Sequence, residues 1–149
     1  MIFSRDKYKK DIDESVRRNL AVWLSSLEYE YKGVTKKSSK TISLIYSASF
    51  VNKKAQRSVE LTYIPVGVGK REVLILSIKH TAPEVNEFDY TSTYCMTVPG
   101  PEIYEQEGEL SQKLDSCLSY RAEIMKSDFL PILNGKVFET EHFDWQGLK

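Results

Sequence analysis

ISLIYSASFV, residues 42 to 51, sets its apolar side chains Ile42, Leu44, Tyr46, Ala48 and Phe50 on every second position with Ser43, Ser47 and Ser49 between them. A period of two belongs to a strand with one buried face, so a sheet starts here. Downstream, Val59, Leu61 and Tyr63 alternate with Ser58, Glu60 and Thr62, which predicts a second strand returning antiparallel beside the first, with Pro65 at its end. The segment 72–79, EVLILSIK, is apolar on both faces and reads as a central strand. Between these two, GVGK (67–70) reads as a hairpin turn: the phosphate-binding pattern needs its full spacing and a helix directly after it, and the next segment here is a strand. A fourth strand is predicted from the alternation of Phe88, Tyr90, Ser92, Tyr94, Met96 and Val98, closed by Pro99, Gly100 and Pro101.

Helical spacing flanks the strands on both sides. Ile12, Val16, Leu20, Trp23, Leu24, Leu27 and Tyr31 recur at three and four, which predicts a first helix opening at Asp11 and Glu14 as a capping box and stopping at Gly33. Residues 32–41, KGVTKKSSKT, read as a basic loop. After the acidic stretch 102–109, Leu110, Leu114, Cys117, Leu118, Arg121, Ile124 and Met125 predict a second helix, and DFLPILN (128–134) a short helical turn stopped by Gly135. The expected fold is α+β: a four-stranded antiparallel meander flanked by an N-terminal and a C-terminal helix that cover one face. It forms a single domain over 1–149, with mobile ends at 1–10 and 136–149. A sheet face left without a helix is then a candidate interface for a partner or a second copy of the chain.

With 41% hydrophobic and 28% charged residues, the chain is too apolar for general disorder. No apolar run approaches the ~18 residues of a membrane span, and the start MIFSRDKYKK lacks a secretory core, so a cytoplasmic protein without membrane contact is expected. Cys95 and Cys117, the only cysteines, are expected to be reduced and inert. The net charge of zero hides a polarity: residues 1–80 hold 16 Lys and Arg against 8 Asp and Glu, and residues 81–149 hold 5 against 13.

Catalytic and metal signatures do not emerge. His80 and His142 have no second ligand at a recognised metal spacing, and no Ser or Cys stands beside an oriented base, so neither a metal, a cofactor nor a catalytic set is assigned. Lys32, Lys36, Lys37, Lys40, Lys53 and Lys54 with Arg57, Lys70 and Arg71 cluster at turns around the first three strands, which supplies a nucleic-acid alternative that the neutral total and the acidic second half oppose.

The element order, together with FLPILNGKVF (129–138) closing the late helix, resembles small cytoplasmic bacterial proteins of the toxin-immunity type. That resemblance implies a non-enzymatic protein that occludes the active site of a cognate toxin, and it carries over no individual functional residue. The acidic second half fits such a role, because an acidic surface complements the basic groove of a nuclease and speeds association. Glu102, Glu105, Glu107, Glu109, Glu139, Glu141 and Asp144 are the expected partner-binding residues.

Overall fold

A computed structural model of the protein describes residues 6–38, 44–81, 93–136 and 146–148. Asp6 starts the first helix by accepting a hydrogen bond from the Lys9 amide at 3.2 Å, so the helix begins one turn ahead of the expected Asp11. Helix α1 runs over 7–26, with a π-turn at Arg17–Ala21 between two α-helical parts, Lys7–Val16 and Val22–Ser26. It buries Ile12, Val16, Leu20 and Leu24 completely.

The helix does not continue to Tyr31. Glu28, at φ +72°, ends it in the left-handed region, and the expected loop is instead strand β1, Glu30–Lys37. Gly33, expected to stop the helix, sits inside this strand at φ +86°, where the register to the next strand slips between Tyr31 and Val34. A bulge of this kind uses the positive φ that glycine adopts freely. Strands β2 (Ile45–Asn52), β3 (Arg57–Ile64), β4 (Val73–Thr81), β5 (Thr93–Thr97) and β6 (Gln146–Leu148) complete the sheet.

All five pairings are antiparallel, and the spatial order β1-β2-β3-β4-β5-β6 is the order of the chain. The sheet is therefore an antiparallel meander, but it holds five strands of five to nine residues and a three-residue sixth instead of four. The expected four are β2 to β5, and a strand is added at each edge. The first residues of the opening stretch, Ile42 and Ser43, and the start of the expected fourth strand at Phe88 lie outside the described residues.

Helix α2 spans 110–133. Its main part, Leu110–Ile124, passes through a π-turn at Met125–Phe129 into Leu130–Leu133, so the expected separate turn around Pro131 is the last turn of one helix. Both helices lie on one face of the sheet and share its core, in which Tyr46, Phe50, Leu61, Tyr63, Leu76 and Ile78 are at most 1% exposed. No helix among the described residues is long and apolar enough to cross a membrane.

The two helices run parallel. Lys7 meets Glu109 at 3.7 Å, Asp115 accepts from Ser15, Arg18 and Asn19 at 2.7 to 3.1 Å, and the Lys126 ammonium lies 5.6 Å from the Trp23 ring. Partners thus keep a nearly constant sequence offset of about a hundred along the pair, so both N-termini lie at one end of the molecule and both C-termini at the other.

Candidate functional site

The expected acidic residues fall in two groups. Glu139, Glu141 and Asp144 lie outside the described residues, as does His142. Glu102, Glu105, Glu107 and Glu109 lie on one ridge leading into α2, all exposed. Two features fix that ridge. Ile103, in the 3-10 turn Ile103–Glu105, is fully buried, and at the other end the Glu109 amide donates to Gln112 Oε1 at 3.0 Å. Upstream, Gly100 lies flat on the buried Arg121 guanidinium: a Cβ at Gly100 would stand 2.6 Å from Arg121 Nη1. Arg121 Nη1 donates to the Cys117 carbonyl at 3.2 Å, which keeps a positive charge beneath the base of the acidic segment.

Among the described residues, Glu102, Glu105 and Glu107 make no ion pair, and Glu109 makes a loose, exposed one to Lys7. Tyr104, 42% exposed, stands among the carboxylates, with the Arg71 guanidinium 4.8 Å from its ring centroid. The ridge thus presents anionic and aromatic groups from backbone held by a buried anchor.

A second feature has no motif in the sequence. The turn between β2 and β3 reaches across the C-terminal ends of both helices and ties them down. Asn52 Nδ2 donates to the Leu27 carbonyl at the end of α1 at 2.9 Å, and its Oδ1 accepts from the Ala55 amide at 3.0 Å. Arg57 Nε donates to the Ile132 carbonyl at the end of α2 at 3.1 Å, and Tyr29 Oη donates to the Leu133 carbonyl at 2.7 Å. A cation at a helix C-terminus offsets the negative end of its dipole, which explains an arginine only 6% exposed.

His80 on β4 faces Arg57 across the strand pair, with Nδ1 2.5 Å from Arg57 Nη1 and 2.9 Å from the Gln56 carbonyl. Nδ1 thus stands between a guanidinium, which only donates, and a carbonyl, which only accepts, and can serve one of them at a time. Burial pushes the His80 pKa down; the Gln56 carbonyl opposes this, and the Arg57 charge adds to it. Above this pair opens a cleft of about 730 Å³, bordered by Glu28, Lys54, Gln56, Asn134 and Lys136. Glu28, Gln56 and Gly135, at φ +72°, +57° and +74°, place three left-handed residues around it.

Other polar clusters knit the core. Tyr63 Oη donates to Glu72 Oε2 at 2.7 Å, and Lys113 Nζ meets Glu72 Oε1 at 2.5 Å, joining β3 to α2. Among the described residues no group of three His, Cys, Asp or Glu is arranged to hold a metal ion. The cysteines stand on opposite sides of the sheet: Cys117 is buried in the core, where burial foremost raises its pKa, and Cys95 pairs in register with Lys79, which points away from the core. On that far face, Lys79 pairs with Glu60 at 2.8 Å and Ile75 is 39% exposed.

Compared with protein-family models, with curated proteins and with solved structures, the chain matches none.

Proposed function

We propose that the protein is a non-enzymatic binding module whose ridge at 102–109 meets a basic surface of a protein partner, in the manner of an immunity protein that occludes the active site of a toxin. The observation that supports this is the contrast at one turn: Ile103 is fully buried, while its neighbours Glu102, Tyr104 and Glu105 are exposed and the two carboxylates make no ion pair among the described residues. Charge held in place by a buried anchor loses little conformational entropy on contact, which favours association. An exposed tyrosine inside such a patch supplies apolar contact area of the sort found at interface centres.

The nucleic-acid alternative draws less support, because two lysines of the expected basic loop lie on strand β1 and are paired. Lys32 pairs with Glu30 and Lys36 with Asp6, each at 3.0 Å.

Photo-crosslinking in the source cell tests the proposal. A photoreactive phenylalanine analogue replaces Tyr104 in one variant and Tyr120, half-exposed on α2, in another. A discrete adduct at position 104, absent at 120 and lost when Glu102, Glu105 and Glu107 are changed to Lys, is expected. No adduct at 104, or equal adducts at both positions, would defeat the proposal.

A further inference from the structure

We propose that the cleft at the shared C-terminal end of the two helices is a binding site for a small molecule bearing a carboxylate or phosphate group. Its volume, about 730 Å³, lies within the range of roughly 300 to 1,000 Å³ usual for small-ligand sites. The sign of the ligand is set by where the donors go. Two helix C-termini side by side would favour a cation, since each carries about half a negative charge on its last carbonyls. Here those carbonyls are already used. Leu130, Pro131 and Ile132 accept from the amides of Asn134, Lys136 and Gly135 at 2.9 to 3.0 Å. Ile132 also accepts from Arg57, Leu133 from Tyr29, and Leu27 from Asn52.

With the acceptors consumed, the cleft is left with cations. Arg57 lies at its floor, where Nε and Nη1 are committed to carbonyls and the guanidinium contributes charge more than free donors. Lys54 and Lys136 stand at the mouth and are exposed. The opposing charge at the rim is Glu28, held 3.9 Å from Lys54 with both side chains mostly in solvent, so that pair costs little to open. Asn134 and Gln56 add neutral amide donors beside the lysines. Two donor-bearing segments, 54–57 and 134–136, converge on the cleft, and Gln56 in the first and Gly135 in the second sit at positive φ.

The site is independent of the ridge proposed to meet a protein partner. The 24 residues of α2 separate them, and a helix of that length spans roughly 36 Å.

An NMR titration of the full chain tests this, using inorganic phosphate in one arm and acetate in the other, with sodium chloride holding ionic strength constant. Saturable shifts confined to the amides of residues 28, 54–57 and 134–136 are expected, and the arm with the lower apparent Kd identifies which anion the cleft prefers. The double variant K54E/K136E alters two exposed side chains and should unfold at the wild-type midpoint, yet bind at least about tenfold more weakly. Shifts spread over surface lysines throughout the chain, no saturation in either arm, or unchanged binding by the double variant would each overturn the proposal.

Discussion

His80 shows how much one side chain can report. Its ring meets the Arg57 guanidinium, and a protonated ring would set an imidazolium against that cation, with Nδ1 2.5 Å from Nη1. Because its pKa is depressed in the folded protein, the unfolded chain takes up this proton first as pH falls, so folding loses stability on acidification. The contribution is present above the ordinary histidine value near 6.5 and is lost as pH falls through the lower folded value. Asp6 and Asp115 are lowered as well: burial pushes both upward, but hydrogen bonds, led by those from Lys36 and from Ser15, outweigh it, and their losses come at lower pH, beneath the usual carboxylate range. Denaturant midpoints at pH 8 and pH 5 should therefore differ in the wild type, and His80→Gln should remove most of that difference; an unchanged difference would assign it to other groups. Leu76, fully buried at the centre of β4, makes the simpler case: Leu76→Ala should cost about 2 to 5 kcal/mol in the same assay. A loss below about 0.5 kcal/mol, the size seen at surface sites, would remove it from the core.

Among the elements, legibility in the sequence tracks burial. Strands β2 and β3 are readable because each alternates strictly between a buried and a half-buried face, and β4 because it carries apolar residues on both faces. Strand β1 is not, because an edge strand with a bulge breaks the period of two and Val34 is its one buried residue. Tyr31 happens to fall four residues after Leu27, which extends the helical pattern into a strand. The start of α1 is hidden for a related reason: Lys7, Tyr8, Lys9 and Lys10 are all exposed, so the first turn offers no apolar signal and only its cap marks it. Asp6→Ala should thus cost about 1 kcal/mol of stability by denaturant unfolding, with part of the loss coming from the Tyr46 hydroxyl, which donates to the same carboxylate at 3.0 Å. A neutral effect would return the helix start to Asp11. The cleft does have a signal that periodicity can expose. Arg57 continues the inward series Val59, Leu61, Tyr63, and His80 continues Leu74, Leu76, Ile78, so two polar residues occupy core-facing positions on neighbouring strands. Which helix ends they meet is set by packing between segments as much as 75 residues apart, and no local pattern carries that.

At the scale of the whole molecule, the polarity of charge along the sequence becomes a polarity in space only in part. The acidic ridge sits at the N-terminal end of the helix pair and the basic cleft at the other, while Lys32 and Lys36 on β1 are paired with Glu30 and Asp6. A titration of labelled duplex DNA at low and moderate salt should accordingly show no micromolar binding; tight binding whose log K falls by about 0.9 per phosphate contact with log salt would restore the nucleic-acid alternative. The parallel helix pair also has a consequence in time. From β1 to β5 neighbouring strands follow one another in sequence, so this part of the sheet can form strand by strand as the chain lengthens, whereas Ser15 and Asn19 find their acceptor only when Asp115 has been made. At about 5 to 20 residues per second of synthesis, α1 waits on the order of 5 to 20 seconds for the helix beside which it ends, with the flank it will turn toward α2 still facing solvent on the ribosome.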